Sequence, residues 1–173
     1  MKKNLVLTGM MGVGKSTVGR FLSKKLKMRF IDLDSVIEKK TSMKIKDIFK
    51  KKGEKYFRNL ERRIGIESLR KRNSIIALGG GAFIDTHIRK IVLRNCISFW
   101  LDLKAEDVII RSKNLRKRPL LNKSNLKDTY NNIYEKRKKV YNLADFKIDC
   151  SKITKTDLSE KIINIYENKI TKN

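Results

Sequence analysis

Leu5-Val6-Leu7-Thr8-Gly9-Met10-Met11-Gly12-Val13-Gly14-Lys15-Ser16-Thr17 is the stretch on which the reading of this chain turns. Leu5-Val6-Leu7 reads as a buried strand, and the helical pattern over Thr17 to Lys27 puts Val18, Phe21, Leu22 and Leu26 on one face. Between them, Gly9 to Ser16 fits G-x-x-x-x-G-K-[ST] at every fixed position, in the strand-to-helix context that gives the motif its meaning. Glycines let successive backbone N–H groups turn inward around a polyphosphate, and the helix N-terminus adds partial positive charge. In such a loop Lys15 reaches the β- and γ-phosphates, and the Ser16 hydroxyl ligates Mg²⁺. The motif points to a nucleoside triphosphate as donor. It leaves open whether the acceptor is water, a nucleotide, another small molecule or a protein conformation.

Outward from this loop, short apolar runs alternate with helical patterns. Phe30 to Leu33, Ile75 to Leu78, Cys96 to Leu101 and Phe146 to Asp149 read as further strands. Helices are expected over Asp34 to Lys40, Ile45 to Lys52, Glu54 to Arg72, Asp85 to Arg94, from Ala105, over Leu126 to Tyr141 and over Thr156 to Lys169. Strands alternating with helices imply parallel pairing through crossover helices, hence a three-layer α/β domain over 1–173. Arg111 to Asn125 interrupts the pattern and holds the only proline, so it reads as a lid.

Composition supports one globular domain and narrows its class. The 173 residues suffice to bury about 70% of the surface the unfolded chain exposes. Two cysteines, Cys96 and Cys150, build no disulfide framework and read as small core residues in a reducing compartment. The apolar start is broken by Thr8 and Gly9, and no run reaches membrane-spanning length, so a cytoplasmic protein is expected. Lys and Arg number 43 against 18 Asp and Glu, a formal charge of +25. Counterion release makes a nucleic-acid surface one explanation of that excess. Composition drift in a Lys-, Asn- and Ile-rich chain is the other.

Four clusters bear on the acceptor. In Asp32-Leu33-Asp34, strand alternation puts both carboxylates on one side and Leu33 in the core, at the end of the sheet where ligands bind. One acid can help hold Mg²⁺ through water while the other accepts a hydroxyl proton; Asp34 as a plain helix N-cap is the bland alternative. Phe57-Arg58-x-x-Glu61 sets Arg58 and Glu61 on one helix face, either as a surface ion pair or as an oriented grip for a carboxylate. Gly79-Gly80-Gly81 ends a strand with exposed backbone N–H groups, suiting a small polar ligand or merely a tight loop. The basic run from Arg111 to Arg118 could bring an arginine onto the transferring phosphoryl group, or be a disordered basic loop or a nucleic-acid patch. One cation of Glu135 to Tyr141 could complete a carboxylate site, and spacing does not say which. His87, the only histidine, reads as a surface residue, so no nucleophilic triad forms.

These pieces, in this order from Lys3 to about Tyr166, resemble the shikimate kinase family. The generic part is Gly9 to Thr17. The specific part is the combination of Asp32-x-Asp34, Gly53-Glu54-x-x-Phe57-Arg58-x-x-Glu61, Leu78 to Gly81, Arg118-Pro119-Leu120-Leu121 and Arg137-x-x-x-Tyr141. The resemblance implies ATP-dependent phosphorylation of the shikimate 3-hydroxyl on a five-stranded parallel sheet of order 2-3-1-4-5. It implies ATP contacts from Gly12, Val13, Gly14, Lys15, Ser16 and Thr17, with Arg111 over the adenine and Arg118 in the lid. Asp34 would bind the acceptor hydroxyls and take the proton, while Arg58 and Arg137 would clamp the carboxylate and Gly79, Gly80 and Gly81 would give backbone contacts. Lys15 and Arg118 would stabilise the transferring phosphoryl group. Ser16, with Asp32 through water, would hold Mg²⁺. Phe49 and Phe57 would wall the pocket, within helices spanning about 34–60, and a lid would cover 111–125. The family's second adenine loop falls near Ser151 to Thr154, where this chain matches poorly and no residue is assigned.

The expected partners are ATP and shikimate, with a monomer acting away from membranes and no dedicated nucleic acid. The rivals are a gluconate- or nucleotide-type kinase, against which the Arg58 and triple-glycine clusters argue, and a basic nucleic-acid-binding NTPase.

Overall fold

The computed structural model describes residues 3–111, 119–121 and 125–171, with the Arg111 side chain left out. The expectations for Arg118, most of the lid and the Arg111 side chain therefore lie outside the described residues.

Five strands form one parallel sheet: β1 (Asn4–Thr8), β2 (Arg29–Asp32), β3 (Ser74–Ala77), β4 (Cys96–Asp102) and β5 (Phe146–Asp149), in the order β2-β3-β1-β4-β5. β1 sits at the centre, with Leu5 opposite Ile75 on one side and Thr8 opposite Trp100 on the other. Its residues are buried throughout, which is why it reads as a continuous apolar run rather than an alternating one.

The helices are α1 (Lys15–Leu26), α2 (Leu33–Thr41), α3 (Ile45–Leu69), α4 (Thr86–Asn95), α5 (Ala105–Arg111), α6 (Leu126–Tyr141) and α7 (Lys155–Thr171), with a 3₁₀ turn at Ala82–Ile84. α1 packs with α7, and α4 with α3, giving the expected layers around the sheet. Asn4 ties β1 to the turn between α3 and β3. Its side-chain amide donates to the Leu69 and Lys71 carbonyls at 3.1 and 2.5 Å and accepts from the Ser74 amide at 2.9 Å. Both cysteines are buried and neither is in a disulfide, and burial together with Asp145 pushes the Cys96 thiol up to about 12. Among the described residues, no helix is long and apolar enough to cross a membrane.

Two local readings change. Leu33 is not the last residue of a strand but the first of α2, because the Asp32 carboxylate accepts from the Ser35 amide at 3.1 Å and starts a helix there. The N-cap is thus Asp32, not Asp34. Ile45 to Leu69 runs as one element, but Gly53 breaks it with φ 80° and ψ 170°, so the two expected helices meet end to end. That backbone region is open essentially to glycine alone.

Candidate active site

The C-terminal ends of β1, β2 and β3 deliver two loops and the start of α2 to one edge of the sheet, where open α/β sheets bind ligands. The phosphate loop leaves β1 and enters α1 at Lys15. Lys15 is buried, and its Nζ donates to the carbonyls of Gly9 and Met10 at 2.8 and 2.7 Å, so the ammonium stays against its own loop. The Ser16 hydroxyl donates to the Asp32 carboxylate. These are two hard oxygen donors from different elements, facing a cavity that phosphates would share. That set fits Mg²⁺, which takes few protein ligands beside water and phosphate oxygens.

Around them opens a cavity of about 430 Å³, lined by Gly12 to Val18, Asp32, Asp34, Gly79 and Gly80. The volume falls within the range of small-molecule sites. Asp32 and Asp34 do share this cavity as expected, although through the first turn of α2 rather than through strand alternation. Cys150, Ile153, Lys155 and Leu158 also line it, and of these Ile153 falls in Ser151 to Thr154, the stretch to which motif spacing assigns no residue. The usable signal was positional, since this segment follows β5 at the ligand edge of the sheet.

A smaller cavity of about 50 Å³ adjoins it, with Met11, Asp34 and Gly80 lining both. Here stand Phe49, Phe57, Arg58, Gly81 and Arg137, together with Pro119 and Leu120. The Phe49 and Phe57 rings lie 4.6 Å apart, and the Arg58 guanidinium sits 5.2 Å from the Phe57 ring centre. Arg58 donates through one terminal nitrogen to Glu61 at 2.6 Å, and through Nε and the other to Glu54 at 3.2 and 3.1 Å. The plain surface ion pair is thus excluded, because the Glu61 side chain is only 3% exposed.

Burial is the largest influence on Glu61 and pushes its carboxyl above the usual carboxylate range, although Arg58 pulls the other way. Burial also opposes the charge of Arg58, but Glu61 and Glu54 outweigh it and hold the guanidinium more basic than usual. Glu54 was visible in sequence only as part of a motif.

Gly79 explains itself by space. A methyl there would stand 2.6 Å from an Asp34 carboxylate oxygen and 2.8 Å from one of Glu61, so only glycine lets both acids close on the loop. The Gly80 carbonyl accepts from Arg137 at 2.9 Å and from the Tyr141 hydroxyl. Arg137 is therefore the cation of its segment that reaches the second cavity. His87 is exposed, with its side chain 3.7 Å from Asp85 and away from either cavity.

A parallel 2-3-1-4-5 sheet with a filled phosphate-loop motif, opposed carboxylates and an arginine-lined pocket beside it defines a small-molecule kinase of the phosphate-loop class. The family model for shikimate kinase matches residues 11–167. The chain belongs to the shikimate kinase family.

A shikimate kinase of Sulfurihydrogenibium sp. (strain YO3AOP1) is 41% identical over 161 residues, covering 93% of this chain and 96% of that one. The structure of the Acinetobacter baumannii shikimate kinase in complex with shikimate superposes with a TM-score of 0.92 at 31% identity, covering 98% of this chain and 95% of that one. The Aquifex aeolicus shikimate kinase gives 0.83 at 32%, covering 96% and 98%. A gluconokinase from Sinorhizobium meliloti 1021 gives 0.61 at 15% over 99% and 97%, a likeness of fold alone.

Proposed function

We propose that this chain transfers the γ-phosphoryl group of ATP to the 3-hydroxyl of shikimate, with the larger cavity holding the nucleotide phosphates and the smaller one the acceptor. Gly12 to Thr17 cradle the phosphates. Lys15 exchanges its own loop carbonyls for phosphate oxygens when they arrive. Ser16, with Asp32 through water, would hold Mg²⁺, which would supply charge neutralisation on the phosphates. Arg58 and Arg137 take the acceptor carboxylate, Gly79, Gly80 and Gly81 offer backbone groups, and the apolar ring face lies on Phe49 and Phe57.

Asp34 lines both cavities, and that single observation carries the assignment of the base. As the acceptor oxygen forms its bond to the γ-phosphorus, the bond to the bridging oxygen breaks and ADP leaves. The hydroxyl proton passes to the Asp34 carboxylate. Arg118 enters with the lid, 111–125, to stabilise the transferring charge, and Arg111 covers the adenine. The whole chain works as one domain and as a monomer in the cytoplasm. The donor, the acceptor and the cations all carry roles without a covalent intermediate.

The experiment is ADP release with Mg-ATP and, separately, shikimate, gluconate, AMP, DNA or RNA as acceptor. Turnover is expected with shikimate alone. Turnover with gluconate or AMP in its place, or hydrolysis stimulated by nucleic acid, would overturn the assignment.

A further inference from the structure

The phosphate loop and the triple-glycine loop touch, and one buried hydroxyl reaches both. A methyl on Gly80 would stand only 3.2 Å from the Met11 amide nitrogen, so the two backbones pass in close contact. Tyr141, the last residue of α6, is fully buried, with its ring 5.9 Å from that of Trp100 on β4. Its hydroxyl donates to the Gly80 carbonyl and lies 3.7 Å from the Met10 sulfur. Gly80 belongs to the triple-glycine loop and lines both cavities, and Met10 belongs to the phosphate loop.

Two neighbours on α6 sharpen the comparison. Arg137 also donates to the Gly80 carbonyl, but it lines the acceptor cavity and so has a direct use there. Tyr130, equally buried, places its hydroxyl 3.4 Å from the Met11 carbonyl, on the phosphate loop. Tyr141 lines neither cavity. Its hydroxyl hydrogen-bonds the triple-glycine loop and packs against a side chain of the phosphate loop, so it touches both.

We propose that Tyr141 is a positioning residue, whose hydroxyl fixes the phosphate loop against the acceptor loop so that the γ-phosphorus and the acceptor hydroxyl meet in line. The proposal rests on the reading of Gly79 to Gly81 as the acceptor loop. In-line transfer depends steeply on this alignment, because misplacement by about 1 Å can cost on the order of a hundredfold in rate. Burial, the largest influence on the phenol, raises its pKa, so it remains a donor throughout the working range.

Tyr141→Phe tests this directly. It keeps the ring against Trp100, and the Gly80 carbonyl keeps Arg137, so no buried acceptor loses its last partner. The measurements are kcat, both KM values, the melting midpoint, and the ratio of ADP formed to shikimate phosphate formed, all assayed well below that midpoint. The expected result is a kcat lower by on the order of tenfold with both KM values within about twofold of wild type.

The ADP ratio should rise above one, because water then competes for the misaligned phosphoryl group and releases it as inorganic phosphate. Tyr130→Phe, which removes a contact to the phosphate loop, should keep the wild-type ratio. An unchanged kcat and ratio in Tyr141→Phe would overturn the proposal whatever happens to the midpoint. So would a loss confined to the shikimate KM, or equal uncoupling in Tyr130→Phe. Wild type assayed in parallel separates the two levels: without shikimate-dependent turnover there, the proposed function itself falls.

Discussion

Arg58 carries five N–H bonds, and three of them are spoken for: Nε and one terminal nitrogen by Glu54, the other terminal nitrogen by Glu61. One N–H then remains on each terminal nitrogen, for a carboxylate that enters the smaller cavity. The two acids therefore hold the fork in a fixed attitude, and the buried Glu61 supplies the rigid half of that hold. Charged hydrogen bonds of this kind contribute about 1.5–3 kcal/mol. Arg58→Ala should accordingly raise the shikimate KM by roughly 10- to 150-fold and leave the ATP KM within about twofold. Arg58→Lys should not restore binding, because an ammonium brings the charge without the planar fork. Steady-state kinetics in both substrates decide it, and equal losses for ATP and shikimate would mark structural damage instead.

At the scale of elements, the kink at Gly53 brings two aromatic rings into tilted contact, their planes 41° apart. Phe49 belongs to the run before it and Phe57 to the run after it, and their contact forms one wall of the smaller cavity, the one proposed for the acceptor. Space is open around a Cβ at Gly53, so the obstacle to substitution is backbone conformation alone. Gly53→Ala should cost about 1–3 kcal/mol in urea unfolding. It should also raise the shikimate KM as the rings separate, with the ATP KM unchanged. An unaltered shikimate KM would show that the wall forms without the kink.

Much at this scale was legible in sequence: Leu126 to Tyr141 and Phe146 to Asp149 fall where hydropathy put them, and the glycine between two helical patterns marks the kink. The end of β2 was not, because a strand of four residues is too short for alternation to outweigh one capping carboxylate at Asp32. Nor were the roles of Gly79, Tyr141 and Ile153, which depend on neighbours brought from α2, the phosphate loop and the far edge of the sheet. Motif spacing names such residues without saying what they touch.

At the scale of the whole molecule, the +25 charge separates into cations with partners at the site and cations on the surface. Lys15, Arg58 and Arg137 are engaged with carbonyls and carboxylates around the two cavities. Surface pairs such as Lys40 with Glu67 and Lys138 with Glu135 are about half exposed and stabilise little. The remaining excess acts mainly as a field, and both substrates of this family are anions. A positive field raises their encounter rate without touching the chemical step, and it is screened within about 10 Å at 0.1 M salt. Raising NaCl from about 20 to about 300 mM should therefore lower kcat/KM for shikimate several-fold and leave kcat nearly constant. The same salt should release any DNA or RNA bound at the lower concentration, since such binding would rest on counterion release alone. Polynucleotide retained at the higher salt, and accelerating ATP turnover without shikimate, would instead give the surface charge a function of its own.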